Sequence, residues 1–92
     1  MVFEWDEDKN KTNLAKHGID FETAALVFKD DNRLEYFDFA HSLEEERFIT
    51  IGMINDVTVV VVVVYTVRTS AIRIISARKA TKRERNFYYA YS

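Results

Sequence analysis

Val59-Val60-Val61-Val62-Val63-Val64-Tyr65 is the stretch from which the fold of this chain can be worked out. β-Branched residues occupy both parities, so the stretch predicts a strand covered on both faces rather than one with a wet side. A short turn is expected at Val67-Arg68-Thr69-Ser70. The chain then returns as Ala71-Ile72-Arg73-Ile74-Ile75-Ser76-Ala77-Arg78, a strand whose alternation is interrupted by Arg73 and Arg78. A stiff aliphatic hairpin of this kind holds its arginines on a rigid platform, where their charge can be aimed at an anion.

Upstream of the valines, Arg47 to Ile54 reads as a strand joined to them by a tight turn at Asn55-Asp56. Leu34 to Phe39 alternates and reads as another strand, with a turn over Ala40 to Glu45. These short connections predict four antiparallel strands in hairpin order. Val2 to Trp5 is a short strand candidate. Asp6 is a good N-cap, and Glu7 and Asp8 suit a first helical turn, so a helix should run to Lys16-His17 and stop at Gly18. Its main apolar residues are Leu14 and Ala15, an apolar face so thin that the helix is expected to lie over a groove or meet a partner. Asn10, Leu14 and His17 share one face; Lys9, Asn13 and Lys16 share the next. Asp20 should cap a second, apolar helix from Phe21 to about Phe28. Thr81-Lys82-Arg83-Glu84 has capping-box spacing and opens a last helix carrying Phe87, Tyr88 and Tyr91. The expected class is α+β: a small four-stranded antiparallel sheet with two N-terminal helices and one C-terminal helix, in a single domain over residues 1–92.

The 92 residues include no cysteine and no proline, which removes disulfides and thiolate metal sites, and glycine appears only at Gly18 and Gly52. The acidic N-terminus lacks the apolar segment of a signal peptide, and the valine run is too short for a membrane helix, so a cytoplasmic protein without membrane contact is expected. Charge is split along the chain. Residues 1–64 carry 6 Lys/Arg against 14 Asp/Glu, a net of −8, and residues 65–92 carry 7 against one, a net of +6. A split of this kind fits a basic surface for an anionic partner such as nucleic acid, or a basic surface that meets the protein's own acidic half.

Lys82, Arg83 and Arg85 fall in the first turn of the last helix, where the backbone dipole is already positive; a bound anion there would relieve the conflict. Arg68, Arg73 and Arg78 offer guanidinium forks that suit phosphate oxygens and stabilise charge that grows on a phosphate. Arg73 shares parity with Ile75 and is the best candidate for a purely structural salt bridge. His17 is a possible proton carrier near neutral pH, although a His in a last helical turn is more often a cap. The two histidines are far apart in sequence, and no spacing fits a metal ligand set, so neither metal nor other cofactor is expected.

In order and spacing, the chain resembles the BrnT family, toxins of type II toxin–antitoxin modules. The resemblance is carried by Phe3-Glu4-Trp5-Asp6, Lys9, Asn13 and Lys16-His17-Gly18-Ile19. It continues in Phe21-Glu22, Ala24-Ala25, Val27-Phe28, Asp30, His41-Ser42 and Glu45-Glu46-Arg47. Its most specific block is Arg73-Ile74-Ile75-Ser76-Ala77-Arg78, followed by Ala80-Thr81, Glu84-Arg85 and Tyr88. The resemblance implies a fold like that of RelE ribonucleases and metal-independent cleavage of RNA that stops translation. It also implies a BrnA-like antitoxin with a ribbon-helix-helix part, whose complex with the toxin represses its own operon, so that DNA is contacted only through the antitoxin. On this reading Arg68 and Arg78 stabilise the phosphorane and His17 moves the proton. Arg73, Lys82, Arg83, Arg85 and Lys9 hold flanking phosphates, and Trp5 stacks on a base or packs in the core. The chain departs from the family in one place. Members often have Glu-Arg after the central strand, and here the pair is Val67-Arg68, so a base supplied by that Glu is missing and His17 gains weight. The rival class is a degenerate, non-catalytic module that keeps only its antitoxin surface and acts as co-repressor.

Overall fold

The structure is a computed structural model that describes residues 1–54 and 58–91; the turn expected at Asn55-Asp56 lies outside them. In chain order the elements are β1 (Phe3–Glu4), α1 (Glu7–His17), α2 (Phe21–Ala24) continued by a 3₁₀ helix (Ala25–Lys29), and β2 (Leu34–Phe37). A 3₁₀ turn (Phe39–His41), β3 (Phe48–Ile54), β4 (Val59–Arg68), β5 (Ala71–Lys79) and α3 (Lys82–Tyr91) complete them.

The sheet has five strands in the order β1-β5-β4-β3-β2, not the expected four. β2 to β5 form the antiparallel meander, but β1 adds to it in parallel, with Phe3 opposite Ile72 and Glu4 opposite Arg73. The sheet is therefore mixed. A two-residue strand carries too little alternation to announce itself, and its partner lies across most of the chain. The correction extends to the second helix. It is α-helical only to Ala24 and then tightens to 3₁₀. The tighter turn brings Val27 back over Ala24, and Phe21, Ala24 and Val27 are all fully buried.

β4 is buried on both faces, as its valines require. One face packs under α2 and the 3₁₀ helix with Val61, Val63 and Tyr65 beside Phe21, Val27, Phe28, Ile74 and Ala77. The other carries Val60, Val62 and Ile51 under Ala80 and Tyr88, the latter from α3. Gly52 lets the first layer close. A Cβ there would stand 2.6 Å from Val27 Cγ2 and 3.0 Å from Arg33 Cβ.

Both edge strands are shorter than the strands they flank, and polar side chains finish the bare edges. Beyond β1, the buried Asn13 amide donates to the Ala77 carbonyl at 2.8 Å and accepts from the Ala77 N–H at 3.1 Å. Beyond β2, the Asp30 carboxylate accepts from the Met53 N–H at 2.8 Å and from the Tyr88 hydroxyl. α1 is therefore held by amides, not by an apolar stripe: Asn10 also accepts from the Phe21 N–H, while Leu14 points outward, half exposed. Both helix starts are capped where the sequence placed them, at Asp6 and Asp20, and Gly18 closes α1 in the left-handed conformation.

Candidate functional site

Arg73 and Arg78 are five residues apart, and in a regular strand that odd spacing would send them to opposite faces. β5 is not regular. Val64 pairs with Ser76 and Tyr65 pairs with Ile74, so Ile75 is an extra residue, a β-bulge. The bulge resets the alternation. Thr66 pairs with Arg73, Val62 with Arg78 and Arg68 with Ala71, so Arg68, Arg73, Ser76 and Arg78 belong to one face of the sheet. This is the face whose far end is covered by α3. Residue 67 belongs to the other face, opposite Ile72, and its valine is exposed. A carboxylate at that position would sit on the side away from the arginines.

Each of these arginines has a carboxylate partner. Arg68 pairs with Glu45 at 3.3 Å and Arg73 with Glu4 at 2.8 Å, so the bridge expected of Arg73 is not peculiar to it, and the bulge at Ile75 removes the parity on which that expectation was based. Arg78 makes a two-pronged bond, Nη1 to Glu84 Oε1 at 2.7 Å and Nη2 to Glu84 Oε2 at 2.9 Å. The three pairs differ in kind. Those of Arg68 and Arg73 use carboxylates about 41% exposed on each glutamate, the setting in which an ion pair contributes about 0–1 kcal/mol and yields readily to a competing anion. The Arg78–Glu84 pair is fork-to-fork, and its glutamate is less exposed than the other two. The guanidinium's hydrogen bonds hold the Glu84 carboxyl down at about 2, helped by the Thr81 N–H and against the cost of burial. The same bonds push the Arg78 guanidinium above its ordinary value.

Glu84 also completes the capping box: its N–H donates to Thr81 Oγ1 and its carboxylate accepts from the Thr81 N–H. The start of α3 thus already holds a carboxylate. The dipole conflict read from Lys82, Arg83 and Arg85 is met by Glu84, and Arg85 turns back to the Ala80 carbonyl at 3.0 Å. Lys82 and Arg83 are exposed.

His17, half-buried at the end of α1, lines a cleft with Lys9, Lys16, Ile75 and Ser76. The bulge therefore borders two groups at once, the His17 cleft through Ile75 and Ser76 and the arginine face through Ser76. Trp5 stands apart from both, half-buried edge-on against Phe21 at 6.2 Å between ring centres, in a core role. Among the described residues no group of three or more His, Asp or Glu side chains is arranged to hold a metal ion. No helix of the described residues is long and apolar enough to cross a membrane.

Three members of this neighbourhood escaped the sequence. Ser76 was visible only as part of a motif. Glu84 was visible as a capping residue but not as the partner of Arg78. Tyr36 gave no signal at all; it lies close enough to Arg78 and Glu84 for both charges to act on its hydroxyl, which burial and the Glu84 charge push above its ordinary value.

The chain matches, over residues 5–84, a family model described as "Ribonuclease toxin, BrnT, of type II toxin-antitoxin system". No curated protein matches it.

Proposed function

Because the chain belongs to the BrnT family of type II ribonuclease toxins, we propose that it is a metal-independent endoribonuclease that stops translation and is silenced by a BrnA-like ribbon-helix-helix antitoxin. The single observation that supports this most is the bulge at Ile75, which gathers Arg68, Arg73, Ser76 and Arg78 on one sheet face.

RNA lies along this face with its phosphates over the arginines. The 2′-hydroxyl oxygen attacks the adjacent phosphorus, and the bond to the 5′-oxygen breaks, leaving a 2′,3′-cyclic phosphate and a 5′-hydroxyl. Negative charge on the non-bridging oxygens rises in the transition state, and guanidinium donors already aimed there stabilise it. Arg78 is the fixed donor. Glu84 occupies one N–H of each terminal nitrogen and the Lys79 carbonyl takes the second on Nη1 at 3.4 Å, which leaves Nε–H and a second Nη2–H for substrate. Arg68 exchanges the exposed Glu45 carboxylate for a phosphate oxygen, and Arg73 does the same with Glu4. His17, which lines a cleft with Ser76, takes the proton from the 2′-oxygen, and a solvent water supplies the proton that the leaving 5′-oxygen takes up. Lys9, Lys82, Arg83 and Arg85 bind flanking phosphates and give affinity that falls with salt.

The test is cleavage of an oligoribonucleotide with chelator present. Cleavage should persist, leave a cyclic phosphate, and stop when the nucleotide 5′ to the cut carries a 2′-deoxy sugar. Activity that vanishes with chelator and returns with a divalent metal sinks the proposal, as does an Arg68→Ala, Arg78→Ala double variant that cuts normally.

A second reading has a specific observation behind it: all three hairpin arginines rest on the protein's own carboxylates, and residue 67 is a valine. On that reading the chain is a degenerate toxin that binds antitoxin and acts as co-repressor. Growth arrest when the chain is expressed alone favours the nuclease; no arrest with tight antitoxin binding favours the co-repressor.

A further inference from the structure

Between β2 and the first two turns of α3 lies a cleft of about 500 Å³ next to the Arg78–Glu84 pair. Its floor is the cross-strand pair Leu34 and Ile51. Tyr36 stands on one side and Phe87 on the other, each 44% exposed, and Arg83 and Glu84 form the rim. Phe87 is backed by Tyr91, with ring centres 4.9 Å apart, so its outer surface is presented to the cleft by a second ring. The geometry points to a nucleobase subsite: the cleft takes one unpaired RNA base beside Tyr36 and Phe87, while the attached phosphates meet Arg83 and Arg78. This inference rests on the ribonuclease reading and names where its substrate is gripped.

The chemistry of the cleft selects the occupant. Its lining is mainly apolar and its side walls are aromatic, which suits the π-face of a base, and every base has one. Its rim carries Arg83, with Lys82 exposed one residue away, and the Glu84 carboxylate on the same rim is bonded by the Arg78 guanidinium, which offsets its charge. A nucleotide combines a flat apolar body with an anionic tail, in that order. An amphipathic helix from an antitoxin is a poorer fit. The helical wall from Arg83 to Phe87 rises only about 6 Å, whereas anchors at i, i+3, i+4 and i+7 need about 10 Å of groove. Burial and the Glu84 charge push the Tyr36 hydroxyl above its ordinary value, which disfavours a negative charge on that wall against the phosphates. Continuity with the arginine face follows from the sheet itself. Tyr36 pairs with Ile49, Ile49 with Val64 and Val64 with Ser76, so one row crosses from the cleft to the bulge.

The experiment uses the full chain and an oligoribonucleotide made uncleavable by 2′-O-methylation, with 2-aminopurine placed in turn at each position around the wild-type cleavage site. One position should lose fluorescence on binding, as stacking requires. Phe87→Leu and Tyr36→Leu keep an apolar side chain and remove the ring. Each should raise KM for cleavable RNA by about 5- to 150-fold, the range for losing one stacked base, with little change in kcat, and should abolish the quench at that one position. Tyr36→Phe and Phe87→Tyr keep the ring and should behave as wild type, which separates lost stacking from lost folding. Leucine variants that bind and cut RNA like wild type overturn the inference and leave the ribonuclease reading standing. Leucine variants that lose antitoxin but not RNA overturn it too, in favour of a protein dock. A wild-type chain that neither binds nor cuts RNA removes the ribonuclease reading and this subsite with it.

Discussion

The two faces of β4 are made of the same residue and covered by different materials. On one face Val61 and Val63 lie under Phe21, Ala24 and Val27, all fully buried. On the other, α3 covers only the Val60–Val62 end, and the row through Thr66 is flanked by charged side chains, Arg73 opposite it and Arg68 beyond. The first cover is apolar and permanent. The second is an array of ion pairs, two of them exposed, that a stronger anion can replace. A single valine strand can thus serve as the wall of a core and as the bed of a binding face, and what distinguishes the two is the ease with which the cover comes off. Substitutions on the first face should cost stability, and those on the second should cost activity.

The largest effect is expected from emptying the permanent cover. Phe21→Ala removes a fully buried ring at the centre of the helix-side cluster. It should destabilise the fold by about 3–5 kcal/mol, read as a fall in the midpoint of chemical denaturation. If the loss is under about 1 kcal/mol, typical of an exposed site, the helix side is not the permanent one and the comparison fails.

Acid should act on the other cover, at the one strong pair in it. The folded state holds Glu84 at about 2 and Asp30 below its ordinary range, the latter because hydrogen bonds from Tyr88, Met53 and Asn32, with Arg33, outweigh the cost of its burial. The unfolded chain therefore takes up protons first. The stability these groups contribute is complete above their unfolded values and is lost as pH falls, for Glu84 from about 4.5 to about 2. Melting temperature measured against pH should show this acid limb, and Glu84→Gln should flatten part of it. The remaining part belongs to Asp30, and a Glu84→Gln profile that follows wild type throughout would show that the Arg78 pair carries no linkage.

Much of this contrast was readable in the sequence, and the boundary of what was readable is physical. Six valines on both parities announced two covered faces. Asp6, Asp20, Gly18 and the Thr81–Glu84 box announced helix ends, because each acts on backbone groups within a few residues. What escaped depends on distant partners. β1 finds β5 across most of the chain, so the sheet is five-stranded and mixed where four antiparallel strands were expected. Asn13 looked like one more polar residue on a polar helix, yet it satisfies both backbone groups of Ala77. The site was half visible. The arginines stood out as a group on the hairpin, but a five-residue spacing does not by itself put Arg73 and Arg78 on one face of a strand, and only the pairing of Ser76 and Ile74 with successive residues of β4 reveals the bulge that does so. Tyr36 was placed by its strand neighbours alone.

The smallest change in stability should come with the largest change in function, and this is the sharpest form of the contrast. Arg68→Ala removes a side chain half exposed and paired with an equally wet glutamate, so the fold should change by less than about 1 kcal/mol. If the guanidinium meets growing charge on the phosphate, the same change should lower kcat by about 10²–10³, the usual consequence of deleting one transition-state donor. Arg68→Lys keeps the charge but not the fork and should fall between the two. Denaturation and RNA cleavage, measured on the same samples, give the ratio of the two effects. Should Arg68→Ala unfold the chain as Phe21→Ala does, Glu45 would be part of the permanent structure and the arginine face would not be replaceable. Should it leave both stability and cleavage untouched, the active end of this face lies nearer Arg78 and His17, on the β5 side of the bulge.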